Sequence, residues 1–96
     1  MPVRVPSDVF RKVVDGYIAY WIEDGRHRIA YIDEDGNLQV LEAGSLEELE
    51  KILEGVDYVE AKGLCIFGDY NDPDSTTECI RSGFKGREII ALLRGP

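Results

Sequence analysis

Tyr17-Ile18-Ala19-Tyr20-Trp21-Ile22-Glu23-Asp24-Gly25-Arg26-His27-Arg28-Ile29-Ala30-Tyr31-Ile32-Asp33 is the stretch whose reading decides the fold. Tyr17 to Glu23 and His27 to Asp33 are runs of β-branched and aromatic residues. Asp24-Gly25 between them accepts the positive φ angles of a two-residue type I′ turn. The expectation is a hairpin in which Glu23 pairs with Arg26, Ile22 with His27, Trp21 with Arg28 and Tyr20 with Ile29. Register then assigns faces. Ile18, Tyr20, Ile22, Ile29 and Tyr31 share one side, the side to bury, with Leu38 and Val40 from a third strand over Leu38 to Glu42. Tyr17, Ala19, Trp21 and Glu23 share the other with Arg26, Arg28, Ala30 and Ile32, and Leu41 falls beside Ala30.

Two readings of that second face compete. An aromatic and arginine patch with two central alanines has the composition enriched at protein interfaces, and Arg28 stacked on Trp21 would hold it in shape. This makes Tyr17, Trp21, Arg26 and Arg28 the leading partner-binding residues. The competing reading covers the face with a C-terminal element and makes Trp21 core, since the sole tryptophan of a small domain is usually well buried.

Outward from the hairpin, Asp35-Gly36 repeats the turn signal and leads into the third strand, completing a meander. Upstream, Ser7 to Gly16 opens with a capping serine after Pro6, carries apolar residues at i, i+1, i+4 and i+5, and closes on glycine, which predicts a two-turn helix. Downstream, Ser45-Leu46-Glu47-Glu48 is a capping box, and Leu46, Leu49, Ile52 and Leu53 recur at helical spacing up to Gly55. Further strands are expected over Asp57 to Ala61 and Leu64 to Phe67. After the loop Asp69 to Asp74, Ser75-Thr76-Thr77-Glu78 reads as a second capping box starting a short helix that ends at Gly83. Arg87 to Arg94 reads as a buried final strand. The fold class is α+β: one small domain over residues 1–96, an antiparallel three-stranded meander extended by later strands, with the helices packed on one face.

Composition bounds the partners. The chain has 96 residues, 44% hydrophobic and 31% charged, which predicts a packed core and no membrane span. Met1 to Arg4 is not followed by the apolar run of a signal peptide, so the expected location is the cytoplasm. Net charge is -8, and Ala43 to Glu78 holds ten acidic residues against two basic ones. Such a segment repels phosphate backbones and anionic lipid and favours basic protein surfaces, although excess carboxylates also serve plain solubility. Nucleic acid is therefore disfavoured, despite the basic Arg81, Lys85, Arg87 and Arg94 near the end.

Candidate chemistry is sparse. Asp69, Asp72, Asp74 and Glu78, with Asn71, form an oxygen-rich loop that would suit a hard cation. Read from Asp69 as an EF-hand it lacks the glycine at the sixth position and ends on Ile80, a reading from Asp33 ends on Gly44, and a turn feeding the next helix explains the loop residues. His27 has no spacing relation to a nucleophile, and the ten glycines form no phosphate-binding motif, so no cofactor is expected. Cys65 and Cys79 read first as buried free thiols. The shortage of Asn, Gln and Met beside abundant Glu leans thermophilic, and in that setting a Cys65 to Cys79 disulfide is the second reading.

The order helix, three strands, helix is that of a double-stranded-RNA-binding domain. Tyr17 to Leu53, with its capped Ser45-Leu46-Glu47-Glu48 helix, resembles the partial version of that fold seen in HicB-type antitoxins. The resemblance implies a nucleic-acid-linked regulator. The second helix, however, starts on Glu47 and Glu48 where phosphate contact needs basic residues. The expected function is a non-enzymatic interaction or regulatory module, acting on a protein partner or on itself through the Trp21 face or the acidic helix of Glu47, Glu48, Glu50 and Glu54. A metal-dependent or enzymatic module on the loop 69–78 is the alternative, and a nucleic-acid-binding regulator the third.

Overall fold

In the computed structural model, residues 5–53 and 61–81 are described, and they build a mixed five-stranded sheet with two helices. In chain order these are α1 (Ser7–Val14), β1 (Tyr17–Glu23), β2 (Arg26–Ile32), β3 (Leu38–Ala43), α2 (Leu46–Leu53), β4 (Gly63–Asp69) and β5 (Glu78–Arg81). The spatial order is β3-β2-β1-β4-β5, with β4 parallel to β1 and the other pairs antiparallel. The strands expected at Asp57 to Ala61 and Arg87 to Arg94 lie largely or wholly outside the described residues.

The first hairpin follows its sequence. Asp24 and Gly25 take φ of 53° and 75°, as a type I′ turn requires, and the register is Glu23 with Arg26, Ile22 with His27, Trp21 with Arg28 and Tyr20 with Ile29. The second turn corrects the reading. Ile32 pairs with Leu38, Asp33 N–H donates to Asn37 O, and Gly36 N–H donates to Asp33 O, with Gly36 at φ 83°. The connection thus spans one residue more than the Asp35-Gly36 dipeptide suggests. Because side chains alternate with period two, that residue turns β3 over. Val40 now sits opposite Ala30 and Leu41 opposite Ile29, so Leu38 and Val40 lie on the Trp21 side and Leu41 on the Tyr20 side.

The helices occupy opposite faces of the sheet, not one. Val9 and Val13 of α1 pack with Tyr17, Ala19, Trp21, Ala30, Cys65 and Phe67. Leu49 and Leu53 of α2 pack with Ile18, Tyr20, Ile29, Ala43 and Leu64. Both faces of β1 are therefore interior, and its first five residues are buried in unbroken succession, as expected of a strand covered on both sides. α1 begins after Pro6, whose carbonyl accepts from Phe10 N–H, with no side-chain cap, so Ser7 is its first helical residue and not its cap. α2 keeps its cap. Ser45 Oγ accepts from Glu48 N–H at 3.2 Å, while the Glu48 carboxylate reaches back to Gly44 N–H at 2.9 Å, one residue beyond the usual reciprocal partner.

Part of the segment read as a second capped helix is a strand. Glu78–Arg81 pairs antiparallel with β4, setting Cys79 directly opposite Cys65. A capping box stabilises a helix start only by local bonds, and here a ladder with β4 and a covalent cross-link outweigh it. Where β4 meets β1 the register slips between Tyr20 and Trp21, so Ile66 faces Tyr20 and Gly68 faces Trp21, with Phe67 the extra residue of a bulge. Among the described residues no helix is long and apolar enough to cross a membrane.

Candidate interaction surface

The face expected to meet a partner is interior at its centre. Trp21 and Ala30 have no exposed surface and Tyr17 is buried, because α1 lies over them. This removes Trp21 as a surface contact. Lys12 places its ammonium 5.5 Å from the Tyr17 ring centre, a cation over an aromatic face. The two arginines engage carboxylates. Arg28 donates to Glu23 Oε1 at 2.6 Å, Arg26 Nε donates to Glu42 Oε1 at 2.8 Å, and Trp21 Nε1 donates to Glu23 Oε1 at 3.4 Å. Arg28 Nε lies 3.5 Å from Glu42 Oε2, near enough to share charge but without hydrogen-bond alignment, and it is buried. The bond from Arg26, aided by Arg28, holds the Glu42 carboxyl below the usual carboxylate range. Two arginines and two glutamates thus cancel at the hairpin end of this face.

Beside that corner runs the outer edge of β3. Its polar side chains are turned to neighbours: Gln39 donates to Asp33 Oδ2 at 2.8 Å and Glu42 is held by the arginines. Its ladder to β2 is regular over six pairs, and Leu38–Ala43 contains no Lys, Arg or Pro. Among the described residues β3 has no strand on its other side. Leu38 is 40% exposed, and on α1 the residues Phe10 and Val14 are 44% and 63% exposed. Val9 and Val13 take the centre of the α1 apolar stripe against the sheet, and Phe10 and Val14, about 100° further round the helix, fall at its outer margin. Leu38 was missed because the face of β3 was assigned from the shorter turn.

Two carboxylates of the acidic loop are spent on its own backbone. Asp69 Oδ1 accepts from Asn71 N–H at 2.8 Å and Asp72 Oδ1 from Asp74 N–H at 2.9 Å, as turn-forming aspartates do. Glu78 stands apart on β5, opposite Ile66. Among the described residues no three His, Cys, Asp or Glu side chains gather in a way that would hold a metal ion. Asp8, Phe67, Asp69, Tyr70, Asp72, Ser75 and Thr77 line an open depression, where Tyr70 donates its hydroxyl proton to Asp8 Oδ1 at 2.5 Å. Burial, and then the Asp8 carboxylate, push the Tyr70 hydroxyl pKa upward, which keeps it protonated.

Histidine and cysteine are separated by the sheet. His27 Nδ1 lies 2.7 Å from the Tyr20 hydroxyl in the α2 layer, whereas Cys65 packs in the α1 layer. The two cysteines are joined as a disulfide, the second of the two readings from sequence, so neither offers a thiolate. Burial pushes the Tyr20 hydroxyl pKa up to about 12. Comparison of the chain with protein-family models, with curated proteins and with solved structures finds no match.

Proposed function

We propose that this chain is a non-enzymatic interaction module that self-associates through the outer edge of β3. An unpaired strand edge is a row of backbone donors and acceptors, and monomeric proteins blunt such edges with lysine, proline or bulges. β3 has none of these features. One observation carries the reading. In a chain of net charge -8, two copies repel over most of their surface, but the edge of β3 is flanked by a corner where Arg26 and Arg28 cancel Glu23 and Glu42. The same charge argument disfavours nucleic acid as partner.

Pairing about a two-fold axis joins the two sheets into one and uses the same strip of each copy, as closed dimers do. Exposed Leu38 supplies apolar area at the seam. Sedimentation equilibrium tests it. The wild type forms a concentration-dependent dimer, and Leu38→Glu, which removes the exposed apolar side chain and adds a second carboxylate to a strand that already carries Glu42, weakens it by at least about tenfold. A wild type that stays monomeric into the millimolar range, or a Leu38→Glu dimer as tight as wild type, overturns the proposal.

A further inference from the structure

We propose that the Cys65–Cys79 disulfide is a redox-operated clasp, whose reduction by a protein dithiol releases β5 and uncovers the outer edge of β4. The two cysteines are direct cross-strand partners, so the bond ties the middle of β5 to the middle of β4. Beyond it, β5 has little hold among the described residues. It is four residues long, and among the described residues it pairs with β4 through Gly63 to Ile66 only. The stretch leading to it, Asn71 to Cys79, is exposed at every residue. β4 in contrast is secured from its other side by a six-pair parallel register with β1 and by burial of Leu64, Cys65 and Phe67. Breaking the bond therefore frees the outer strand and leaves the inner one in place.

The chemistry is directional. Cys79 is exposed and Cys65 fully buried, so an incoming thiolate reaches the Cys79 sulfur. A bond forms from the attacking sulfur to Cys79 Sγ, the Cys65–Cys79 bond breaks, and Cys65 leaves with the electron pair and takes a proton. The reductant's second thiol then closes on the first, expelling Cys79 as a thiolate that is protonated in turn. In sum the dithiol becomes a disulfide and the chain gains two electrons and two protons. The amide and carbonyl groups of Gly63 to Ile66 that had faced β5 are then open to solvent.

Hydrogen exchange read by mass spectrometry, with and without dithiothreitol, tests the clasp. In the oxidised protein the β4 and β5 amides are protected. On reduction their exchange accelerates by about tenfold or more while β1, β2 and β3 keep their protection, and reoxidation restores the first pattern. Cys79→Ser, which alters the exposed partner and leaves the buried one, reproduces the reduced pattern without reductant. Three outcomes overturn the proposal: protection of β4 and β5 that reduction does not change, loss of protection across the whole sheet, or two free thiols titrated in the protein as isolated under non-reducing conditions.

Discussion

The two faces of the sheet each carry a helix but are filled differently. Under α1, short Val9 and Val13 meet Ala19 and Ala30, and the space is taken by the rings of Tyr17, Trp21 and Phe67. Under α2, Leu49 and Leu53 meet Ile18, Ile29 and Leu64, with Tyr20 the single ring among the described buried residues. One layer is built from large rings over small residues, the other from interlocking aliphatic chains. Alanine under a tryptophan is thus a packing solution, even though the same residues side by side resemble a binding surface.

The contrast predicts unequal tolerance to truncation. Trp21→Ala removes the largest fully buried side chain and leaves small neighbours that cannot close the void, so urea unfolding should show a loss of about 4 kcal/mol or more. Leu49→Ala in the opposite layer should cost about 3 kcal/mol, because longer aliphatic neighbours relax into part of the space. Equal losses would remove the distinction between the faces.

Titration gives a second, smaller difference. Tyr20 belongs to the α2 layer and keeps its proton to about 12 when folded, against 10.0 for the unfolded group. The folded state therefore binds that proton more tightly, so the contribution is complete below pH 10 and is lost as pH rises through the folded value. Tyr20→Phe should cost about 1 kcal/mol at neutral pH through the lost bond to His27, and its stability should decline less steeply than wild type above pH 10. Unfolding curves from neutral to alkaline pH check both parts.

The smallest effect concerns the turn that assigns β3 to its faces. Asp33 accepts backbone bonds from Asp35 and Asn37 and a side-chain bond from Gln39, and the bond from Asn37 leads in holding its carboxyl below the usual range. A lowered folded pKa gives stability that is present above the unfolded value and fades as pH falls through the folded one. Asp33→Asn should therefore melt slightly below wild type at neutral pH, with the gap closing in acid. A gap that persists at low pH would mean the carboxylate charge is irrelevant to the turn.

These elements also show what the sequence made legible. The first hairpin was readable to the residue pair because Asp24-Gly25 is its entire turn and demands one geometry. α2 was readable because capping and periodicity agree. β3 was found, but its faces were exchanged, since a turn one residue longer inverts every side chain after it. Ser75 to Glu78 satisfies the rules for a helix start, yet the strand at Glu78 forms through a partner distant in sequence, which no local rule contains. Of the candidate site, Arg26 and Arg28 were placed correctly on one face with Trp21, but the covering of that face by α1 is a tertiary fact. The outer edge of β3 emerges only once the strand order is known.

The parallel pairing of β1 with β4 also bears on how the chain reaches its native state. On one side β1 meets β2 through a two-residue turn; on the other it waits for a strand that follows β3 and α2. Contacts near in sequence close quickly, whereas distant ones must first meet the entropy of a long loop. In synthesis the residues of α1 and the meander precede Gly63 to Asp69, and Cys65 and Phe67, which complete the seat of α1, arrive only with that strand. Of the described strand pairings, that of β1 with β4 closes the longest loop and so meets the largest entropic cost.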